Sequence, residues 1–530
     1  MLVLITTAGI GERLKPYTAH LNKGILPFRN KPAIIKIIDA YPSKTKFLVC
    51  VGYKSKDVIN ILAFYRYLKR VKIIKVDKFD NESGSLTYTL KKAIKYINEP
   101  FFYHANDSMI DSIPKINKFK NTIFLNKNKS YNDLYRKVII SKNTIEFLSK
   151  KTKINNKKNI FNYVGICFIY DYKKFSEVIK NSKLKIGESE FIEKNIKNFC
   201  YNILEKWVDI GNIHSFEKNA YSNYNVLPKS NQQIFFNNDY VLKYFNDPKK
   251  INNLIKRSKK LKTITPILYK FRDNFVYYKF INGKMFNNQN IIKLPNLLNY
   301  FNKKIWRIKF NKKTNLINHK KNLNDFYREK TFSRVKSYLF NNKIKDNWSY
   351  INNFKVDKIY NLLEKINWDL ILTSKPSLMH GDLHFENILI GNYNKIITLD
   401  IRDDFKNINN FGDQYYDLAK ILHGIIISHN VVNKNLYFFK KIKNKIIIKI
   451  NKEKKFHSNL SSFYKFCNDN NLDINKIELL CSLIYLNIAD LHHSPYSHFL
   501  FNLGKLMLMK FLNKIKKNDD LVLNLNIYNP

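Results

Sequence analysis

The chain is short of glycine and cysteine and has no long apolar run. Only 14 of its 530 residues are glycine, so each glycine is expected where the backbone requires one. The five cysteines are scattered without a C-x-x-C pair, which argues against a zinc site or a disulfide framework and suits a reducing cytosol. No segment approaches the roughly 18 apolar residues of a membrane span. We therefore expect a cytoplasmic protein with no membrane insertion.

Acidic residues are also scarce, with 42 Asp and Glu against 93 Lys and Arg and a formal charge of +51. The excess is nearly all lysine, spread along the whole chain and accompanied by abundant Asn, Ile, Tyr and Phe. That pattern is typical of AT-rich codon bias, whereas nucleic-acid binders gather basic residues on one face. We expect no specific nucleic-acid partner; attraction of anionic nucleotides is the milder interpretation.

The length exceeds one ordinary domain, and the patterning changes along the chain. Over residues 1–220, the apolar runs LVLIT, KFLVCVGY, VKIIKV and PFFYHAND alternate with helical patterns and predict an α/β domain with parallel strands. Residues 221–232 are the predicted linker. Beyond it, QIFFNNDYVLKYF and NFVYYKFING predict antiparallel strands, and helices then dominate. The second domain is expected over 233–515, with a tail at 516–530.

Lysine- and asparagine-rich stretches near 302–322 and 441–455 are predicted to be surface loops or solvated helix faces. The C-terminal histidines His492, His493 and His498 lie in an apolar periodic segment without nearby acids. That pattern favours a packed helix pair over a metal site.

A glycine turn follows the first predicted strand, in the sequence ITTAGIGERL. Exposed backbone N–H groups in such a turn can bind phosphate. Arg13 and Lys23 supply two cations for a triphosphate. Asp107 and Asp209 follow different predicted strands, and two such carboxylates suit a Mg²⁺ shared with a nucleoside triphosphate.

With these motifs, residues 1–220 resemble the sugar-phosphate nucleotidyltransferase family, which includes bacterial phosphocholine cytidylyltransferases. The matching elements are a G-x-G-x-R-L loop at Gly9–Leu14, the signature Lys23, Asp107 after the central strand, and D-I-G at 209–211. The resemblance implies a Rossmann-like fold in which Asp107 and Asp209 hold the metal and Arg13 and Lys23 are catalytic. The implied nucleotide-binding residues are Ala8, Gly9, Gly11, Arg13, Lys23 and Gly84.

The match to that family has departures. Asn22 stands where a proline is usual, Asn106 where a glycine is usual, and Thr6-Thr7 where alanines are usual. These changes leave the charged residues of the motifs in place, but the sequence does not indicate which nucleobase or which substrate is bound.

A second motif, HGDLHFEN at His380–Asn387, precedes the apolar strand that carries Asp400. On one loop, Asp382 can face the acceptor hydroxyl while Asn387 faces Mg²⁺. Asp400 at a strand end would complete the metal site. Upstream, Lys243 in YVLKYF is placed to hold ATP phosphates.

Residues 233–515 thereby resemble the aminoglycoside phosphotransferase and choline kinase superfamily. The resemblance implies a protein-kinase-like α+β fold, with a β-rich N-lobe over 233–285 and a helical C-lobe over 286–515. It implies that Asp382 is the catalytic base, that Asn387 and Asp400 are Mg²⁺ ligands, and that Lys243 binds ATP. Asp413 and Asp417 match structural acids of the superfamily, and we expect His380 and His384 to be structural too.

Two features weaken the kinase prediction. The helix predicted after Lys243, PKKINNLIKRSKKL, contains no acid to pair with this lysine, and the nucleotide loop lacks glycine. Either the acid comes from elsewhere or the kinase is weak or degenerate. The intact metal ligands favour an active enzyme.

Together, the motifs predict a bifunctional enzyme that uses Mg²⁺, ATP and a second nucleoside triphosphate, with CTP favoured. It would phosphorylate a small hydroxyl compound and transfer a nucleotidyl group to the product for surface polysaccharide or lipid modification. The alternatives are a sugar kinase joined to a sugar-1-phosphate nucleotidyltransferase, and a nucleic-acid-binding protein on degenerate enzyme folds. The sequence leaves the acceptor and the oligomeric state open.

Overall fold

The computed structural model describes residues 1–80, 84–127, 135–141, 144–147, 159–183, 185–221, 230–237, 239–286, 293–307, 316–406, 411–492, 494–514 and 521–529. The chain forms two compact units. The first comprises residues 1–248 and 270–280, and the second comprises 249–269 and 281–530.

The first unit is built on a sheet whose central strands are β1 (Leu2–Thr6), β2 (Lys46–Val51), β3 (Val71–Lys75) and β4 (Phe101–Ala105). These four strands are parallel and lie in the order β4-β1-β2-β3. All five residues of β1 are buried, as expected of a parallel strand that is covered on both faces. The predicted α/β class of the N-terminal part is confirmed.

Further strands extend this sheet beyond β4, where Ile160–Ile169 pairs antiparallel with it. The others are Asn121–Asn126, Lys137–Ser141, Thr144–Phe147 and Phe199–Ile203. Two-residue strands pair Pro27–Phe28 with Lys31–Pro32 and Ser108–Met109 with Val208–Asp209. The α-helices are Ala33–Asp39, Ser55–Phe64, Leu86–Ala93, Tyr172–Asn181, Glu188–Asn195 and Ile213–Asn219.

The strand order places a topological switch between β1 and β4. From β1 the chain runs outward through β2 and β3 and then returns to the other side of β1 as β4. In open α/β sheets the loops after the strands on either side of such a switch form the ligand crevice. Those loops carry the glycine turn after β1 and Asp107 after β4.

An antiparallel sheet of Gln232–Phe236, Tyr240–Phe245 and Phe275–Lys279 belongs to the first unit. The predicted antiparallel pairing is therefore confirmed. The sheet buries Phe235, Leu242 and Phe275 in the same core as the helix Ala33–Asp39. Its Tyr244 hydroxyl donates to the His20 carbonyl over 2.7 Å.

This shared apolar core is the reason that the compact unit ends at 248 rather than at the predicted linker. Of that linker, residues 222–229 lie outside the described residues. The predicted domain boundaries stay predictions. The two-residue strand Tyr269–Lys270 lies where the chain re-enters the first unit.

The second unit is mainly helical, and its long helices Ile474–Ala489 and Tyr496–Leu512 pack against each other. The other α-helices are Pro248–Lys260, Leu294–Phe301, Leu316–Asn324, Lys330–Asn341, Ile359–Glu364, Asp369–Leu372, Gln414–Ile426, His429–Asn433 and Phe456–Asp469. Two π-helical turns cover Asn302–Trp306 and Asp325–Glu329.

Two small sheets complete the second unit. One pairs Gly283–Met285 with Ile388–Gly391 and Ile396–Thr398. The other contains Tyr350–Ile351, Phe354–Lys355, Tyr437–Ile442, Lys445–Asn451 and Tyr528–Asn529. The protein-kinase-like fold of this part stays a prediction.

The second of these sheets corrects the prediction of a solvated stretch near 441–455. Lys445–Asn451 is a strand in which Ile446, Ile448 and Ile450 are buried and the residues between them are more exposed. The sequence hides this period of two, because Ile447 interrupts it and Lys445 and Lys449 on either side of the isoleucine run indicate a solvated stretch. In the other stretch, Ile305 and Trp306 are buried as well.

The packed helix pair predicted around His498 is present, and the His498 ring is hydrogen-bonded to the Tyr338 hydroxyl at 2.7 Å. His493 lies outside the described residues. Over the described ranges, no helix combines the length and the apolar character needed to cross a bilayer.

Candidate active sites

The glycine turn after β1 closes against the chain that follows it. Gly11 has a φ of 77°, and a Cβ there would lie 3.1 Å from Thr18 Cγ2 and 3.2 Å from Lys23 Cβ. An L side chain would be both strained and crowded at this position. A Cβ at Gly9, by contrast, would meet no described atom within 4 Å. The peptide at Gly9 thus borders open space, where backbone N–H groups can meet a phosphate.

Asn22 holds the segment that carries Lys23. Its buried side chain donates to the carbonyls of Thr7, over 2.9 Å, and Tyr53, over 2.6 Å, and accepts from the Gly24 amide over 2.7 Å. Asn22 therefore ties three loops together beside Lys23. The residue noted above as a departure from the family proline has a structural role that proline could not perform with its side chain.

Ala8 and Gly84 belong to one group of tightly packed loops. The Ala8 carbonyl lies 2.8 Å from where a Cβ of Gly52 would be, and the same Cβ would lie 3.0 Å from Phe79 side-chain atoms. A Cβ at Gly84 would lie 2.7 Å from both the Phe79 Cα and the Asp80 carbonyl oxygen. Gly84 is thus connected to the glycine turn through Phe79.

Asp107 lies between the two predicted cations. Its Oδ2 is 3.5 Å from Lys23 Nζ and 3.8 Å from Arg13 Nη2. Burial disfavours the charged carboxylate, but Lys23 and Arg13 outweigh that effect and hold the pKa of Asp107 below its usual value. Arg13 is the outermost of the three, with 62% of its side chain exposed. The structure therefore brings together three of the predicted site residues.

Asp209 joins this group through a short β-bridge. Asp209 is paired with Ser108, and the Ile210 amide donates to the Asp107 carbonyl over 2.9 Å. A Cβ at Gly211 would lie 2.9 Å from Asp209 Oδ1 and 3.2 Å from both Asp107 Oδ2 and Arg13 Nη2.

The carboxylates of Asp107 and Asp209 thus approach the same point, which glycine leaves open. Burial and the nearby Asp107 raise the pKa of Asp209. Two adjacent carboxylates repel each other, and a divalent cation such as Mg²⁺, which prefers oxygen ligands, would stabilise both in the charged form.

Tyr135 is a site residue that the sequence reasoning missed. Its hydroxyl donates to Asp209 Oδ2 over 2.6 Å, and its ring packs edge-on against Trp207. Burial and Asp209 together raise the pKa of Tyr135, so the phenol stays a hydrogen-bond donor. Tyr135 lies 74 residues before its partner in a lysine- and asparagine-rich stretch without a motif.

His104 braces the strand end that leads to Asp107. The buried ring contacts the Tyr41 hydroxyl at 2.9 Å through Nδ1 and the Ser108 carbonyl at 2.8 Å through Nε2. Burial lowers the pKa of His104 to about 4. A neutral imidazole therefore fixes the turn that presents Asp107.

Glu188 is a buried acid of the first unit that the sequence did not indicate. It begins the helix Glu188–Asn195, is 5% exposed, and accepts a long hydrogen bond of 3.4 Å from the Tyr163 hydroxyl. Burial raises the pKa of Glu188 to about 7.

The second predicted site is organised by Asp417, in the helix Gln414–Ile426 of the second unit. Its carboxylate accepts from the amides of His380 and Gly381, each over 2.7 Å. Gly381 has a φ of 86°, and a Cβ there would lie 2.5 Å from Arg402 Cβ. Asp413, the N-cap of the same helix, accepts from the Tyr327 hydroxyl over 2.9 Å. Both acids hold the loop in shape, in line with the structural role predicted for them.

Asp382 is paired with Lys420, whose ammonium lies 2.9 Å from Oδ1. Burial opposes ionisation of Asp382, but Lys420 and His384 outweigh it and hold the pKa of this carboxyl well below its usual value. Lys420 is one turn beyond Asp417 on the same helix. It stood inside the quoted motif FGDQYYDLAK, but nothing in the sequence pattern indicated that it meets Asp382.

Asn387 and Asp382 face each other across the loop. The Asn387 amide donates to the Asp382 carbonyl over 2.8 Å and lies 3.4 Å from Asp382 Oδ2. The Leu399 amide donates to the Asn387 carbonyl over 2.8 Å, which brings the next residue, Asp400, alongside. Asp400 has a φ of 56°, a strained value often found at functional sites. These oxygen donors suit Mg²⁺.

His384 bridges Asp382 and Glu386, with Nε2 3.6 Å from the former carboxylate and Nδ1 2.9 Å from the latter. Burial disfavours the charged ring, yet the two carboxylates outweigh it and raise the pKa of His384 to about 9. Glu386 also accepts from the His429 amide over 3.0 Å. His384 thus braces the loop as a cation, and His380 braces it by accepting from the Asp382 amide over 3.2 Å.

Lys243 is buried on the strand Tyr240–Phe245, with its ammonium 5.4 Å from the centre of the Tyr278 ring. The helix Pro248–Lys260 that follows contains the buried Arg257, which donates to the Met379 carbonyl over 2.5 Å. The ATP-binding role of Lys243 stays a prediction.

No protein-family model matches the chain. The chain is 26% identical over 222 residues, 40% of its length, to the bifunctional protein GlmU of Methanocaldococcus jannaschii. It is 27% identical over 118 residues, 22% of its length, to mannose-1-phosphate guanylyltransferase 1 of Arabidopsis thaliana. The chain spans only 51% and 32% of those two relatives.

Two solved structures are similar to about 40% of the chain. CTP:phosphocholine cytidylyltransferase from Streptococcus pneumoniae is 17% identical with a TM-score of 0.33, covering 41% of this chain and 96% of its own. The inositol-1-phosphate CTP transferase from T. maritima is 17% identical with a TM-score of 0.32, covering 40% and 90%. These similarities lie in the N-terminal part of the chain and are of the nucleotidyltransferase type.

Proposed function

We propose that the first unit is a nucleotidyltransferase, which transfers a nucleotidyl group from a nucleoside triphosphate to a phosphorylated small molecule. The observation that carries this proposal is the convergence of Arg13, Asp107 and Asp209 around Gly211, with Lys23 against Asp107. Two cations and two carboxylates at the switch point of a parallel sheet are what a triphosphate and its metal require.

In the proposed reaction, a phosphate oxygen of the acceptor forms a bond to the α-phosphorus while the bond to the bridging α–β oxygen breaks. Pyrophosphate leaves with the electron pair of that bond. Lys23 and Arg13 neutralise the charge that develops on the phosphates, and the amides near Gly9 position them. Asp107 and Asp209 would hold Mg²⁺, which supplies further charge neutralisation when bound.

Two features of this step are open: the identity of the acceptor and the nucleobase of the triphosphate. CTP is favoured by the resemblance to phosphocholine cytidylyltransferases. The curated relative named as a mannose-1-phosphate guanylyltransferase favours a sugar 1-phosphate as acceptor, which is the alternative reading of the first step.

We further propose that the second unit phosphorylates a small hydroxyl compound with ATP. Asp382 accepts the proton of the acceptor hydroxyl, whose oxygen forms a bond to the γ-phosphorus as the bond to ADP breaks. Asn387 and Asp400 would hold Mg²⁺ for this step. The support is the network in which Asp417, Lys420 and His384 hold the loop around Asp382.

The two steps would follow each other, because the product of the kinase is the phosphorylated acceptor of the nucleotidyltransferase. A nucleotide-activated product of this kind would serve surface polysaccharide or lipid modification. The competing hypothesis of a nucleic-acid-binding protein predicts tight DNA binding that weakens steeply with salt, without nucleotide turnover.

The decisive experiment incubates the full chain with Mg·ATP, each nucleoside triphosphate and a panel of choline, ethanolamine, amino-acid amides, polyols and sugars. Mass spectrometry of the products identifies both steps. Pyrophosphate release that survives in Asp107→Ala contradicts the first proposal, and phosphorylation that survives in Asp382→Asn contradicts the second.

Each variant has a matched control in the same unit. Asp111→Asn removes an acid with 59% of its side chain exposed, four residues after Asp107. Asp369→Asn removes an acid with 72% of its side chain exposed in the second unit. Both controls should retain wild-type activity, which separates loss of the site from loss of the fold.

A further inference from the structure

Three basic side chains gather near Asp382 in the second unit. Lys420 pairs with it directly, at 2.9 Å. Lys330 is the first residue of the helix Lys330–Asn341, and its amine interacts electrostatically with Arg402, Lys420 and Asp382. The Arg402 amide donates a hydrogen bond over 3.0 Å to the carbonyl of His380, which begins the loop that carries Asp382. Asp382 thus lies beside a group of basic side chains, in addition to His384 at 3.6 Å.

Two of these three basic side chains have no acidic partner in the part of the chain that the structure describes. Among the described residues, no carboxylate oxygen lies within 4.0 Å of the charged nitrogens of Lys330 or Arg402. The Arg402 Nε is buried without a hydrogen-bond partner in the same part of the chain. The nearby acids Asp403 and Asp404 act on Arg257. Burial, followed by Arg402 and Lys420, lowers the pKa of Lys330 to about 6. The Lys330 amine is therefore largely neutral at pH 7 in the free protein, and the Arg402 guanidinium is the charge that has no acidic partner among the described residues.

The Phe326 ring at this place already contacts two of the protein's own basic side chains. Lys330 Nζ lies 4.5 Å and Arg402 Cζ lies 4.7 Å from the centre of the Phe326 ring. Arg402 is also 6.0 Å from the Tyr416 ring centre. A cage for a quaternary ammonium needs free ring faces and no competing cation. At Phe326, Lys330 and Arg402 would compete with such a ligand.

We propose that the acceptor phosphorylated by the second unit is an anion: a small hydroxyl compound that carries a carboxylate or phosphate group, held by Arg402 and Lys330. This inference rests on the proposed kinase function. Arg402 offers a planar donor set for such a group, and Lys330 adds an amine whose protonated form a bound anion favours. The acceptor hydroxyl is then directed towards Asp382. A half-buried guanidinium without an acidic partner is costly in the free protein, and an anionic ligand reduces that cost.

The test compares acceptors of one size and different charge with the full chain and Mg·ATP. Glycerate and glycerol 3-phosphate are the anionic probes and distinguish the two sources of charge. Glycerol is the neutral probe, and choline and 3-amino-1,2-propanediol are the cationic ones. We expect the highest kcat/KM with one of the anions. Arg402→Gln should raise the KM of that anion about 10- to 100-fold and change the KM of glycerol far less.

Lys330→Gln and Lys336→Gln form a matched pair on one helix, because Lys336 is exposed. The first should raise the KM of the anion and the second should not. Higher kcat/KM for glycerol or choline than for both anions contradicts the inference while leaving the kinase function intact. So does an equal effect of Arg402→Gln on glycerol and on the anion.

If no probe is phosphorylated, the kinase proposal fails and calorimetric binding of the two anions decides the inference separately. Binding that is lost in Arg402→Gln and kept in Lys336→Gln supports an anion site. Absence of binding, or binding that does not depend on Arg402, overturns it.

Discussion

Adding one methyl group at Gly211 should disable nucleotidyl transfer without unfolding the protein. In Gly211→Ala the new Cβ lies 2.9 Å from Asp209 Oδ1 and 3.2 Å from Asp107 Oδ2 and Arg13 Nη2. These separations are shorter than ordinary van der Waals contact, so the three charged groups must move apart by a few tenths of an ångström. Misplacement of reacting groups by up to 1 Å costs as much as about 100-fold in rate. We therefore expect kcat/KM to fall about tenfold.

The fold should tolerate the same change. Gly211 does not have a positive φ, so alanine can adopt its backbone conformation. Replacement of glycine at such a position stabilises by about 0.4–1 kcal/mol through the unfolded state, which offsets part of the crowding. The Tm should therefore stay close to that of the wild type.

The assay measures pyrophosphate release with Mg·CTP and the acceptor phosphate that the wild type uses best, beside a thermal melt. Gly424→Ala is the control, because its new Cβ would make only ordinary contacts of 3.7 Å or more. Activity of Gly211→Ala within about threefold of wild type would contradict the placement of both carboxylates around this glycine. A loss of activity that only follows a lower Tm would contradict it too.

Three further changes test the charge balance of the two sites. Lys420→Met should raise the pKa of Asp382 and move the acidic limb of the kinase pH–kcat/KM profile to higher pH; an unmoved limb contradicts the pairing. Tyr135→Phe removes a hydrogen bond to Asp209 and should raise the Mg²⁺ concentration for half-maximal pyrophosphate release about tenfold, whereas an unchanged Mg²⁺ requirement refutes that role. His384 has its pKa raised from 6.5 to about 9, so its stabilisation is complete below pH 6.5 and is lost as the pH rises through about 9. The Tm values of wild type and His384→Gln should therefore converge above that pH, and a gap that does not change with pH counts against the interpretation.

The strands and the chemical groups of both sites were predictable from local sequence. Apolar runs such as LVLIT predict buried strands because both faces of a parallel sheet are covered. Asp107 and Asp209 were identifiable because acids that follow strands reach the ligand edge of the sheet. The strand Lys445–Asn451 was missed because Ile447 interrupts the alternation of buried isoleucines and because Lys445 and Lys449 are residues of the kind that is spread along this whole chain.

Partners that are distant in sequence were not predictable. Tyr135 meets Asp209 across 74 residues, and nothing in the composition around either residue marks the pair. The packing of the strands Gln232–Phe236 and Tyr240–Phe245 into the core of the first unit was hidden in the same way. An apolar strand face shows that the strand will be buried, but it does not show which part of the chain will pack against it.

The sequence by itself determined which groups are available for chemistry: two cations and two acids after the N-terminal strands, and the loop from His380 to Asn387. Only the tertiary structure decided the direction in which their pKa values shift. Lys23 and Arg13 hold the pKa of Asp107 low while burial raises that of Asp209, although both are aspartates at strand ends. The reason is physical, because a pKa depends on burial and on distances to other charges, and those are set by contacts between distant segments.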